Sequence, residues 1–399
     1  MNTHFPPTSA AARARIAAIN AVAYAKTRNF LGGAVTALSP YITHGFVPLP
    51  EIVAAVDSRF SAGEAEKLIS EFGWREFFMH AWEHAGEGIL RDMRPALAGV
   101  RYKNALPDDI LTAQTGVRAI DESIKTLYTT GYLHNHARMW IASYLVHLRK
   151  VHWRVGADWM FAHLLDGDLG SNHLSWQWVA GTFSAKPYLF NAENVARFAP
   201  DLASRGSAID ASYEALEQIA RSSTDVGAEP RKPKFMASDP TPQPALFANP
   251  LEIAEIAATA NFVTQLALEA QTPVRLIHPW MLADHPPNEP QSAIGIIHLP
   301  FHTQFPWSAA RWAFVITRMQ SLVSQIYIGD VHALLAANPH AHAHTQATLN
   351  PGYVTLAAHP GVTIQPYSKF APAPASVCGS FTQFWRHSGR AVAQKKPLR

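Results

Sequence analysis

The sequence predicts a mainly α protein, an all-helical domain followed by a smaller α/β domain, and three observations carry that expectation. Apolar residues recur every three or four positions through much of the first half, as they do in amphipathic helices. A proline-rich stretch without period, RSSTDVGAEPRKPKFMASDPTPQPALFANP, then interrupts the pattern as a linker would. Beyond it short apolar runs alternate with helical ones, which is the pattern of a parallel sheet crossed by helices. The expected boundaries are 1–220 for the helical domain, 221–250 for the linker and 251–399 for the α/β domain.

The chain has 399 residues and 48% apolar content, enough to fill a sizeable core. A net charge of +3 permits a nucleic-acid partner without requiring one. Cys378 is the single cysteine, so internal disulfides and a cysteine-ligated cluster are excluded and a reducing compartment is expected. The start has no signal-peptide core, and no run approaches the roughly 18 apolar residues of a membrane span. A cytoplasmic protein without a membrane partner is expected, and a monomer.

Taken in order, Ala10 to Ala25 fits a helix through Ile16, Ile19, Val22 and Ala23, ending before Gly32 and Gly33. In AVTALSPYITHGFVPLPEIV, Pro40 sits near a helix start, and Pro48 and Pro50 punctuate the entry to the next helix. Glu64 to Glu87 reads as one long helix with Trp74, Phe77, Phe78 and Trp82 on a packing stripe. Glu71 and Arg75, four apart on it, are spaced for a surface ion pair. Arg118 to Tyr128 is a helix with Ile120, Ile124, Leu127 and Tyr128 as its apolar face and Gly131 as its stop. The helix after it turns Asn135, Arg138 and Met139 to one side.

The densest polar and aromatic stretch is DGDLGSNHLSWQW. Asp166, Asp168, Asn172, Trp176 and Trp178 fall within 13 residues, separated by Gly167 and Gly170. One reading is a solvated turn whose aspartates cap a short helix. The other is a ligand pocket, since burying unpaired carboxylates costs several kcal/mol each unless something binds them.

With its flanks, this stretch resembles the flavin-binding domain of the DNA photolyase and cryptochrome family, and YLHNHARMWIASYL and EFGWREFF upstream extend the resemblance in the family's order. The similarity covers roughly Tyr24 to Pro200. It implies a helical domain holding FAD and light-driven repair of cyclobutane pyrimidine dimers in DNA, with a cryptochrome-like blue-light receptor as the alternative. Thr36, Leu38 and Ser39, with Tyr24, would hold the cofactor's phosphates by hydroxyls and free N–H groups at a helix start; Val35 lacks the hydroxyl the family often has there. Arg138 and Asp166 would pair beside the flavin ring, Asn172 would face its N5, and Asp168 its N3 and O2 edge.

Glu71, Trp74, Asn135, Met139 and Trp178 correspond to the pocket for the damaged bases. Trp74 would stack on the pyrimidine pair after it leaves the helix, and Asn135 marks the dimer-repair type. His136 stands where the family usually has arginine. Arg75 and Lys186 are the implied phosphate contacts, whose strength would fall with salt. Trp176 and Trp153 match the first two members of the family's electron relay. The third falls at Ile110, so either the path ends elsewhere, at Trp140 or a tyrosine, or photoreduction is slow.

In the last third, SAIGIIHLPF, VRLIHPW and GYVTLAA read as strands. Ser308 caps a helix with Trp312, Val315, Ile316, Met319, Leu322, Val323 and Ile326 on one stripe. The family carries an α/β antenna domain before the flavin domain, and SFTQFWRH looks like the segment joining the two, so a rearranged antenna-like domain is expected here. No residue is assigned to a second chromophore. The HAHAH tract at His340 to His344 reads as an exposed loop beside Pro339, and no metal site is assigned to it.

Overall fold

A computed structural model describes residues 4–227, 239–270, 272–284 and 292–388. Five helices carry the residues of interest or pack on them: α1 (Ala62–Ala85), α2 (Asn135–Ser143), α3 (Trp153–His163), α4 (Leu169–Ala180) and α5 (Phe381–His387). The chain is mainly helical with a smaller parallel-sheet domain, as its sequence predicts. Among the described residues, no helix is long and apolar enough to cross a membrane.

By contact the chain divides into two compact units that do not follow chain order. The first combines residues 1–22, 36–84 and 245–399, and the second residues 23–35 and 85–244. The division therefore differs from a helical domain ending near residue 220. Residues 36–84 group with the α/β part because the chain after residue 366 returns along α1 and hydrogen-bonds to it.

In the first unit, six parallel strands run in the order β1-β4-β3-β2-β5-β6. They are β1 (Phe262–Val263), β2 (Val274–Ile277), β3 (Ala293–His298), β4 (Ile326–Gly329), β5 (Ala343–Gln346) and β6 (Val362–Gln365). Gly295 pairs with Ile326 and His298 with Gly329, which sets the central register. β2 is buried along its whole length, the pattern of a parallel strand covered on both faces. Ser308 caps the following helix, Ala309–Gln320, and Trp312, Val315, Ile316 and Met319 face the core.

Two expectations, one of a strand and one of a loop, need correction. GYVTLAA forms a short 3₁₀ turn over Val354–Ala358, entered through Gly352 in the left-handed region at φ 77°. A short apolar run does not distinguish the two by period. The histidine tract is a loop only at its start: His340 and His342 are exposed outside any strand, whereas Ala343 and His344 lie in β5 between β2 and β6, with Ala341, Ala343 and Thr345 turned inward. Backbone pairing on both sides overrides its polar composition.

The second unit is helical. α2 continues into a wider π-type turn at Tyr144–Leu148, then α3 and α4 pack together around Trp140, Ile141, Leu145, Trp153, Met160, Trp176 and Val179. Each large side chain removed from water there contributes about 1.5–3 kcal/mol. Arg118–Thr130 is the expected helix, and Gly131 ends it at φ 66°. The first expected helix is two, Ser9–Ala17 and Ala21–Thr27, interrupted at Ala18–Asn20.

Candidate functional site

Within the second unit Asp166, Asp168 and Asn172 lie at or just before the start of α4, each with its own hydrogen-bond partner, and Arg138 on α2 pairs with the first of them. Arg138 donates Nη2–H to Asp166 at 2.7 Å and Nε–H to the Leu133 carbonyl at 2.9 Å. Burial works against the guanidinium charge, but the Asp166 carboxylate more than offsets it and holds Arg138 above its ordinary range. Asp166 is 5% exposed, so the pair keeps a formal charge couple inside the domain.

Asp168 accepts from the backbone N–H and hydroxyl of Ser171, both at 2.7 Å, and so caps α4. The capping reading and the pocket reading of this carboxylate are thus compatible. Asn172 donates Nδ2–H to the Ala157 carbonyl at 2.9 Å, which orients its amide against α3.

On α2, Asn135 is exposed and Met139 is half-buried one turn on, with Nδ2–H donated to Sδ at 3.3 Å. His134 caps this helix by accepting from His136 N–H. His136 turns against Phe198 and Trp140, and burial, with Arg28 nearby, pushes its pKa down, so it is neutral at pH 7. Trp178 is half-buried against Tyr188, and Lys186 is exposed in the loop after α4.

Trp176 and Trp153 are each 2% exposed. Gly156 on α3 makes room for Trp176: a Cβ there would lie 2.4 Å from the indole. Trp153 donates its indole N–H to Asp92 at 2.5 Å. Ile110 and Trp140 are both fully buried, so neither reaches the surface. Tyr102 is half-buried, lines a small cavity with Trp153, and meets the edge of His152, which neighbours Trp153. Burial and Asp92 push its pKa up to about 12.

Thr36, Leu38 and Ser39 belong to the first unit, and Tyr24 lies in the second, within Ala21–Thr27. Thr36 Oγ1 accepts from Leu38 N–H at 3.4 Å, and Ala37 sits at φ 48°. Leu38 is fully buried and Ser39 opens a one-turn helix, Ser39–Thr43, with Pro40 in its first turn. Two hydroxyls at a helix start suit an anionic diphosphate. The buried Arg138–Asp166 pair with Asp168 and Asn172 suits the polar edge of a heteroaromatic ring. Within the second unit, the Arg138–Asp166 pair, Asp168 and Asn172 are a donor and acceptor set that fits a flavin ring.

On α1, Glu71 pairs with Lys67 at 2.8 Å, and Arg75 donates to Thr43 Oγ1 at 3.0 Å, in place of the expected Glu71–Arg75 partnership. Trp74 is half-buried and stacks on Phe381 with ring centroids 4.2 Å apart and planes 12° apart. The residues that sequence reasoning missed are those that hold this face of α1. Glu76 is 7% exposed and accepts the backbone N–H groups of Phe370 and Ala371 at 2.7 and 3.1 Å. His80, 3% exposed, accepts from Cys378 N–H at 3.0 Å. A glutamate and a glycine, Glu76 and Gly73, on the apolar stripe of a helix were the available signals. Among the described residues no cluster of three or more His, Cys, Asp or Glu is suited to a metal.

Residues 68–233 match the family model for the FAD binding domain of DNA photolyase. The chain is 32% identical over 151 residues to the deoxyribodipyrimidine photo-lyase of Streptomyces griseus, covering 38% of this chain and 33% of that one. It is 31% identical over 205 residues to the Escherichia coli deoxyribodipyrimidine photo-lyase (47% and 43% covered). It is 29% identical over 205 residues to the cryptochrome DASH of Natronomonas pharaonis (45% and 42%). It thus spans between a third and under half of these curated relatives. Among solved structures, a bacterial class III photolyase from Agrobacterium tumefaciens is similar with TM-score 0.45 at 23% identity, covering 55% of this chain and 51% of that one.

Proposed function

Because the chain belongs, through its FAD-binding domain, to the DNA photolyase and cryptochrome family, we propose that it is a blue-light-driven photolyase for cyclobutane pyrimidine dimers in DNA. The observation that supports this reading is the presence of Glu71, Trp74, Asn135, Met139 and Trp178 in sequence motifs that resemble those of the family. A photoreceptor has no need of a base-stacking indole and an exposed amide beside a thioether.

FAD, when bound in its reduced form, supplies under light the electron that splits the dimer. The protein's residues bind, orient and exclude water. Thr36, Leu38, Ser39 and Tyr24 hold the diphosphate. The Arg138–Asp166 pair, Asp168 and Asn172, the last oriented by the Ala157 carbonyl, would hold the flavin ring through their charge and polar atoms. Trp176 and Trp153 are the buried indoles that link the cofactor to the protein surface, and the Asp92 carboxylate on the Trp153 N–H stabilises positive charge on that indole. In the first unit Trp74 would stack on an extruded base, Glu71 bind a base edge and Arg75 a phosphate; in the second, Trp178, Asn135 and Lys186 would take the corresponding roles. The protein acts as a cytoplasmic monomer, with no second chromophore assigned.

The second reading, a blue-light receptor without repair activity, draws on the similarity to cryptochrome DASH proteins. One experiment separates them: blue-light-dependent loss of dimers from ultraviolet-treated single- and double-stranded oligonucleotides, with the flavin chemically reduced beforehand. Loss of dimers only under light is the expected result. Persistence of dimers on both substrates with flavin bound would favour the receptor.

A further inference from the structure

α1 and the returning C-terminal chain form one continuous contact inside the first unit. Lys369 pairs with Glu83 at 2.8 Å, Glu76 receives two backbone N–H groups, and His80 receives a third, from Cys378. Burial pushes the His80 pKa down, which keeps its Nε2 available as an acceptor. In α5, Phe384 packs on Phe77 and His80 with centroids 5.8 and 5.4 Å away. Trp385 lies over Gly73, where a Cβ would come within 2.3 Å of the indole. Phe381 stacks on Trp74 on one side and faces Trp385 at 5.7 Å on the other.

Trp74 nevertheless remains part-exposed. Its contacts with Phe77 at 5.8 Å and 80° and with Phe78 at 5.7 Å and 44° are edge-on or tilted, whereas Phe381 stacks parallel on it. The covering segment is anchored on both sides of Phe381, by Cys378 before it and by Phe384 and Trp385 after it. Removing it would break the His80 acceptor bond and unpack Phe77 and Gly73 together, so it has the character of a fixed backing.

We propose that Phe381 is a positioning residue for substrate recognition: it backs the Trp74 indole so that the opposite face is presented, already oriented, to a flat aromatic ligand, the damaged pyrimidine pair. This rests on the repair reading above. An indole held between neighbours loses little freedom when a second ring stacks on it, whereas a loose one must be immobilised at the moment of binding.

The test is equilibrium binding of the full-length, flavin-loaded protein to an oligonucleotide carrying one thymine dimer and to its undamaged counterpart. Phe381→Ala is expected to lower the preference for the dimer about ten-fold, within the range seen when base-stacking aromatics are truncated, without changing affinity for undamaged DNA. Phe381→Leu, which keeps volume but not the flat face, should lose it as well, and Phe381→Tyr should restore it. Combined with Trp74→Ala, the Phe381 change should add nothing. A higher preference in Phe381→Ala would overturn the proposal in favour of a lid that occupies the lesion's place. An unchanged preference, with Trp74→Ala still losing it, would also overturn it while leaving the repair reading intact. If Trp74→Ala itself retains the preference, the assignment of the pocket falls and this inference with it.

Discussion

Arg138 and Asp166 meet across 28 residues, whereas Glu76 and Phe370 meet across 294. The second unit holds its flavin-side candidates by short-range means: an ion pair, a cap on α4 and an amide tied to the next helix. The first unit holds its base-side candidates on α1 by a segment from the far end of the chain. A motif search finds the former because partners and spacing lie in one window. It finds α1 but not what supports it.

The largest effect should come from breaking the short-range set. Arg138→Ala leaves Asp166 as a buried charge without its guanidinium and should destabilise the protein by about 3–5 kcal/mol, with loss of flavin from the purified protein. Urea unfolding with absorbance for flavin content checks both; a change under about 1 kcal/mol would show that the pair is solvated.

Next is the long-range set. Glu76→Ala strips the acceptor from two backbone amides and should cost about 2–6 kcal/mol, taking about 1–3 for each unsatisfied group. Limited proteolysis should then cut between Tyr367 and Cys378 faster than in the unchanged protein. Equal cutting rates would mean that the segment is held mainly by Phe384 and Trp385.

Acid should weaken the second unit in a defined window. His147 and His163 are 0% and 2% exposed, and burial pushes both down to about 4. Both are neutral in the fold, so the unfolded chain binds more protons between pH 6.5 and 4. Stability falls as pH drops through that interval, by at most about 3 kcal/mol for each group. Urea midpoints at pH 7 and pH 5 report this, and equal midpoints would refute it. The smallest change is Asp168→Ala, which removes a cap and should cost about 1 kcal/mol, visible as a lower thermal midpoint.

Several elements were legible in the sequence for local reasons. Gly131 ends its helix because only a left-handed residue closes that turn without strain. Ser308 starts another, and the long helix expected over Glu64 to Glu87 forms at Ala62–Ala85, two residues earlier at each end. GYVTLAA and the histidine tract were misread because four to seven apolar or alternating residues fit strand, turn and loop alike until a neighbouring strand accepts or refuses them. Trp140 was a reasonable surface candidate by composition, yet it is fully buried with its N–H on Asn194.

By itself, the sequence determined most of the helices and their caps, the match of residues 68–233 to the FAD binding domain of DNA photolyase, and the candidates proposed for FAD and damaged bases. These follow from spacing and chemistry within windows of a few turns. The tertiary structure alone decided that the chain's end lies along α1, that Phe381 covers one face of Trp74 and that Asp92 meets Trp153. Such contacts arise where distant segments exclude water together, and burial of that kind leaves no period in either segment read alone.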